Sequence, residues 1–320
     1  MELTVEKILL ASPRGYCAGV DRAVQSVVQA LEHYGPPVYV RKEIVHNKHV
    51  VETLRERGAI FVEEETEVPP GSVCVLSAHG VAPTVHENAR QRELRTIDAT
   101  CPLVTKVHRE AVRFAREGYM IILIGHAGHE EVEGTMGEAP DSIFLVESID
   151  DVRRLRLPSE ARIAYITQTT LSVDETRGII EALEQRFPHI IGPRRDDICY
   201  ATTNRQMVVK QMAPQCDLVL VIGSRNSSNS VRLVEVARDH GVEAHLIDHE
   251  REVDERWLDG KRVIGISSGA SAPEELVQRL VRWFRERGVT DISEMEMIRE
   301  DVRFMLPRSI RELVASPAAD

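Results

Sequence analysis

Three cysteines share one local setting. Cys17 lies in SPRGYCAGVDRAV, after the apolar run KILLA and before a helical pattern; Cys101 lies in DATCPLVTKVH, and Cys199 in DDICYATTNRQMVV. Each stands at a strand-to-helix turn. Unpaired N–H groups and the positive end of the helix dipole favour negative charge there, so a thiol is biased toward thiolate, the form that binds metal or attacks electrophiles. Pro102 opens its helix without penalty, because its fixed φ and missing N–H are tolerated in a first turn. Three such thiolates can hold zinc with one open position, or an iron-sulfur cluster in which one iron lacks a protein sulfur. Spacing alone does not choose between them, although structural zinc usually draws on close CxxC pairs, which are absent here. Cys74 in SVCVLSA and Cys216 ahead of DLVLVIG read as small buried hydrophobes instead.

Polar loops supply the remaining candidates. His46, His79 and His129 each follow an apolar run, and strand ends are where α/β proteins build sites. SRNSSNS (224–230) and SSGAS (267–271) are rich in hydroxyls and amides and lead into helices. They can serve as caps, or as an anion cradle of hydroxyls, Asn229 and helix N–H groups. HEEVEG reads as a loop that offers Glu130, Glu131 and Glu133, one as a proton donor and two as solvated charges. No H-E-x-x-H, G-x-G-x-x-G or P-loop pattern occurs, so zinc-protease, dinucleotide and P-loop chemistry find no support.

The elements that must position these residues alternate in type. Apolar runs of strand length and helical patterns predict α/β architecture with a mostly parallel sheet. The order cysteine turn, helix, strand with polar loop, strand, strand with second polar loop occurs three times, the cysteines being 84 (101 − 17) and 98 (199 − 101) positions apart. This repeat predicts three similar small α/β domains in a pseudo-threefold arrangement around a shared centre: 1–100, 101–198 and 199–287, with a C-terminal clasp over 288–320. Within the clasp, VRFMLPRSIRELV reads as a strand and a short helix, and SPAAD (316–320) as a frayed end. With 320 residues, 42% hydrophobic and 28% charged, the chain can bury a core without staples. A net charge of −11 argues against nucleic acid or an anionic membrane as partner. The N-terminal apolar run is too short for a signal peptide and no stretch approaches a membrane span, so the expected location is cytoplasmic. An odd count of five cysteines fits that compartment better than a disulfide framework does.

Nine segments in order, PRGYCAGVDRA, VHNKHVV, SAHGV, DATCPLVTKVH, GHAGHEEVEGTMGE, TQTTLSVDET, DDICYATTNRQ, GSRNSSNS and GASAP, together resemble the 4-hydroxy-3-methylbut-2-enyl diphosphate reductase family of LytB type, from about Leu9 to Pro273. The resemblance implies a three-lobed α/β fold around a central 4Fe-4S cluster, with Cys17, Cys101 and Cys199 as ligands and one open iron. It implies that His46, His79 and His129 surround the substrate diphosphate, that Ser227, Ser228, Asn229 and Ser271 bind it further, and that Thr169 lies beside the substrate hydroxyl. Glu131 falls on the proton-relay glutamate, and Glu130 on a position the family does not need. The implied reaction is reductive dehydroxylation of the allylic diphosphate to isopentenyl and dimethylallyl diphosphates, the last step of the non-mevalonate isoprenoid pathway, through substrate hydroxyl binding to the open iron. Lacking flavin or nicotinamide motifs, the chain would draw electrons from a protein such as ferredoxin or flavodoxin. An iron-sulfur redox sensor and a zinc-dependent hydrolase using the same thiols are the alternatives. A sensor has no need of anion-binding loops.

Overall fold

The computed structural model describes residues 4–315. The chain forms two compact units, one of Met1–Val20, His46–Glu52 and Tyr200–Arg303, the other of Asp21–Val45, Thr53–Cys199 and Phe304–Asp320. The first unit holds a five-stranded sheet, and the second holds a four-stranded and a three-stranded sheet. All strand pairings are parallel. Continuous apolar runs account for this: VCVL (Val73–Leu76) and LVLVI (Leu218–Ile222) are buried along their whole length, as strands covered on both faces must be. The helix Pro102–Arg116 shows the complementary 3.6-residue pattern, burying Val104, Val107, Ala111 and Phe114 on one stripe.

The sequence repeat has a structural counterpart in each sheet. In all three, the strand after the cysteine helix lies between two others and is the central strand of its repeat: Val38–Arg41, Met120–Ile124 and Leu218–Ile222. The next strand flanks it on one side (Ala59–Val62, Ile143–Val146, Glu243–Ile247), and the third on the other (Val73–Leu76, Ile163–Thr167, Val263–Ser268). Beyond the third strand comes the segment that leads into the next cysteine. Arg95–Asp98, before Cys101, pairs with Val73–Leu76; Ile191, before Cys199, bridges to Ala164; Lys7–Ser12, before Cys17, pairs with Val263–Ser268.

This arrangement shifts the expected domain limits. The stretch 1–100 contains the four-stranded sheet, but its first strand, Lys7–Ser12, lies in the sheet of 218–296 instead, between Val263–Ser268 and Asp291–Glu296. The stretch 288–320 also differs from expectation. Its strand is Asp291–Glu296, which takes the remaining edge of Lys7–Ser12, while 301–307 form no strand and the helix is Arg308–Ala315. The expected fraying of 316–320 falls outside the described residues. Among the described residues no helix is long and apolar enough to cross a membrane.

A further correction concerns HEEVEG, which is not a loop. Glu130–Glu138 is a helix, with His129 as its N-cap and Glu130, Glu131 and Glu133 in its first turn, where carboxylates suit the dipole. Its glycines serve close packing. A Cβ on Gly134 would stand 3.1 Å from the Gly80 carbonyl oxygen, and one on Gly137 would overlap Ala82 Cβ. Gly137→Ala therefore sets a gain of about 1 kcal/mol in helix propensity against an overpacking cost of about 1–3 kcal/mol. The clash is backbone-adjacent, so the variant is expected to lower the urea midpoint followed by circular dichroism.

Candidate active site

The three thiol turns are built by one hydrogen bond used three times. Cys17 N–H donates to the Ala270 carbonyl at 3.2 Å, Cys101 N–H to Ala78 at 2.9 Å and Cys199 N–H to Thr169 at 3.0 Å. Each acceptor lies two residues past the end of the third strand of its sheet (268 to 270, 76 to 78, 167 to 169). Each cysteine then directly precedes a helix, Ala18–Tyr34, Pro102–Arg116 or Tyr200–Met212. None of the five cysteines is in a disulfide, and these three are half-buried. A side-chain cation also holds the backbone ahead of each one. Arg205 donates to Gly15 O at 2.8 Å, Arg22 to Thr100 O at 2.9 Å, and Lys106 to Arg195 O at 2.5 Å and Asp196 O at 3.0 Å.

Burial raises the Cys17 thiol pKa, opposed by the Arg205 charge and by N–H groups of Val20 and Gly19. At this turn desolvation outweighs the helix terminus, against the sequence expectation, so thiolate there needs a ligand to stabilise it. Cys74 and Cys216 are pushed up to about 12 by burial and are inert, as their sequence setting suggested.

Within the first unit, the residues expected to bind an anion gather at the start of the helix Ser228–Asp239. Ser227 caps it by accepting from Ser230 N, lies 3.3 Å from Ser271 Oγ, and takes a further bond from Ser230 Oγ. Gly223 and Gly269 make room for Ser230, whose side chain would overlap a Cβ at either position. Ser271 Oγ donates to the His46 carbonyl at 2.9 Å, and Asn226 Nδ2 lies 3.5 Å from His46 Nδ1. Asn229 has a structural duty as well: its Oδ1 accepts from Ala270 N and its Nδ2 donates to Thr202 Oγ1. One amide thereby joins the cradle to the carbonyl-bearing residue that anchors Cys17.

Within the second unit, His79, His129, Glu131 and Thr169 come together. Glu131 is 2% exposed, and its carboxylate accepts from Thr169 N–H at 2.6 Å and from Thr169 Oγ1–H at 2.9 Å. Thr169 is thus bonded to Glu131 through its N–H and hydroxyl and to Cys199 through its carbonyl. His129 Nδ1 accepts from Glu131 N, which leaves Nε2 as the hydrogen-bearing nitrogen of the neutral ring. The rings of His79 and His129 stand edge to face at 5.9 Å. Glu130, dismissed on sequence, is only 14% exposed and lies 3.0 Å from His79 Nδ1, a partner that fixes ring orientation. Glu133, at 55% exposure and 3.4 Å from Lys42, is the solvated one. The helical first turn that separates these roles is invisible to a reading of HEEVEG as loop.

The structure of the repeat shows which residues correspond. Five positions past the central strand stand His46, His129 and Ser227 (41 to 46, 124 to 129, 222 to 227). Three positions past the third strand stand His79, Thr170 and Ser271 (76 to 79, 167 to 170, 268 to 271). The three histidines are therefore not one equivalent set; His79 corresponds to Ser271.

An α/β protein with three backbone-anchored thiols, a hydroxyl-lined helix start and a buried carboxylate–threonine pair has informative relatives. The family described as LytB protein matches residues 8–285. A Nocardia farcinica protein named 4-hydroxy-3-methylbut-2-enyl diphosphate reductase is 60% identical over 309 residues, covering 96% of this chain and 92% of its own length. One of the same name from Acidothermus cellulolyticus is 60% identical over 310 residues, covering 97% and 91%. Among solved structures, the E-1-hydroxy-2-methyl-but-2-enyl-4-diphosphate reductase of Plasmodium falciparum has a TM-score of 0.94 at 38% identity, covering 97% of this chain and 98% of its own. A second, described as (E)-4-hydroxy-3-methyl-but-2-enyl diphosphate reductase, the terminal enzyme of the non-mevalonate pathway, has a TM-score of 0.63 at 30% identity, covering 88% and 100%. The chain belongs to the LytB family.

The segment leading to Cys199 is held by Asp197, whose buried carboxylate accepts from Thr167 N–H at 2.9 Å and from Lys106 Nζ at 2.8 Å. Burial pushes its pKa up to about 7, with the lysine and the Thr167 N–H pulling the other way. Asp197→Ala should cost about 2–3 kcal/mol by urea unfolding, less than a fully buried pair because Lys106 reaches water. Asp197→Asn, which still accepts from Thr167, should lose less.

Proposed function

We propose that the chain catalyses the reductive dehydroxylation of 4-hydroxy-3-methylbut-2-enyl diphosphate to isopentenyl and dimethylallyl diphosphates, the closing step of the non-mevalonate route. The observation that carries this reading is Thr169, whose hydroxyl and N–H meet the Glu131 carboxylate while its carbonyl accepts from Cys199 N–H. A proton source and a metal-ligand turn share one residue.

Three thiols outside any disulfide, at equivalent turns, form a soft donor set suited to an iron-sulfur cluster. Cys17, Cys101 and Cys199 would be its ligands at the centre of three similar α/β lobes, with one iron left open. When bound, a 4Fe-4S cluster supplies electrons one at a time and a Lewis-acidic iron. The chain's own residues do the rest. Substrate, two electrons and two protons give product and water, and hydroxide is a poor leaving group without protonation. Glu131 takes up a proton and passes it on through Thr169 Oγ1, whose hydroxyl hydrogen, held by the carboxylate at 2.9 Å at rest, turns to the departing oxygen as the carboxyl donates in its place. His46, His79, His129, Ser227, Ser228, Asn229 and Ser271 hold the diphosphate, helped by the N-terminus of Ser228–Asp239. That grip turns remote binding energy into orientation of the hydroxyl. The electrons come from a separate cytoplasmic donor protein of ferredoxin or flavodoxin type.

Anaerobically prepared protein should contain about four iron and four sulfide per chain and an electron paramagnetic resonance spectrum that the allylic diphosphate perturbs. Zinc in place of iron, or a spectrum indifferent to the diphosphate, would overturn the reading. Glu131→Gln should keep the cluster spectrum and lower kcat by about a hundredfold or more, on the scale of a lost general acid. Turnover near that of the parent would remove Glu131 from the mechanism.

A further inference from the structure

Among the described residues, Arg205 is the largest side chain that is fully buried. Its guanidinium donates to Gly15 O at 2.8 Å, to Ala201 O at 3.1 Å and to the Glu300 carboxylate at 3.1 and 3.3 Å, and its Nε has no partner. Glu300 is largely buried and also accepts from Asn204 Nδ2 at 3.0 Å. Gly15 is held at its other end too, its N–H donating to Ser268 Oγ at 2.8 Å, with φ at +73° in the left-handed region. Cys17 follows two residues later.

Holding one carbonyl does not require a charge. A buried guanidinium costs several kcal/mol to desolvate even when paired, and a neutral amide would serve Gly15 O as well. The charge does have a second target: Arg205 is fixed on the carbonyl two residues before Cys17, and the Glu300 carboxylate is fixed on Arg205.

We propose that Arg205 and Glu300 form a positioning and charge-setting pair behind Cys17, Arg205 raising the reduction potential of the cluster that Cys17 helps to hold and Glu300 restraining that rise. The proposal rests on the cluster reading above. A cation beside the cluster stabilises its more negative, reduced form, and a carboxylate does the reverse.

The test is a redox titration of anaerobically reconstituted full-length protein, followed by the paramagnetic resonance of the reduced cluster, with iron and sulfide counted first. Glu300→Gln keeps acceptors for Arg205 and Asn204 while removing the charge, and should shift the potential positive. Arg205→Gln should shift it negative, and the double variant should fall between. Should Arg205→Gln fail to fold, Glu300→Gln alone decides the matter by the sign of its shift. An unchanged potential at full cluster content, or shifts of the same sign in both single variants, would overturn the pair's charge-setting role and leave the cluster reading intact. A parent protein that takes up no iron would overturn the cluster reading, and this inference with it.

Discussion

The bond from each cysteine N–H to a carbonyl two residues beyond a strand is the constraint on which the candidate site depends. Parallel pairing fixes where neighbouring strands end, so the thiol inherits its position from the sheet and not from the loop alone. The pattern works because the strand before each cysteine, or the single bridging residue Ile191, lies beside the strand that supplies the acceptor. A cysteine turn is thus the carboxyl end of the sheet preceding it in the repeat, and Cys17 closes the sheet built from residues 218–296.

At Glu131 the fold accommodates a buried carboxylate with a helix terminus and threonine donors. Glu131 can be buried because a helix N-terminus and two donors from one threonine replace its water. Gly134 and Gly137 let that helix settle against the turn after Val73–Leu76, which brings Glu130 to His79. Packing and electrostatics meet in one short helix: a side chain at 137 would push away the element that carries both carboxylates.

Much of this was legible in the sequence. The α/β class, the positions of most strands, the helix-capping setting of three thiols and the inert character of Cys74 and Cys216 follow from local pattern, and local pattern is what apolar runs and turn residues encode. What local pattern cannot carry is pairing. Nothing within KILLA says that it lies between 263–268 and 291–296, and that non-local choice moved the expected domain limits. HEEVEG reads as loop, and the glycines at 134 and 137 weaken the local helix signal while their packing reason, contact with Gly80 and Ala82, lies about fifty residues away. Arg205 and Glu300 stand 95 residues apart and look like surface charges in a linear reading.

The pairing of Lys7–Ser12 with strands more than 250 residues later has a consequence for the order of assembly in the cell. The four- and three-stranded sheets, with the turns of Cys101 and Cys199, can form as soon as residues up to about 200 have left the ribosome. The Cys17 turn has no acceptor until Ala270 has been synthesised, and its strand keeps an open edge until Asp291–Glu296 has followed. The N-terminal strand therefore waits without its sheet partners while most of the chain is made, and the Cys17 turn is the last of the three to be anchored.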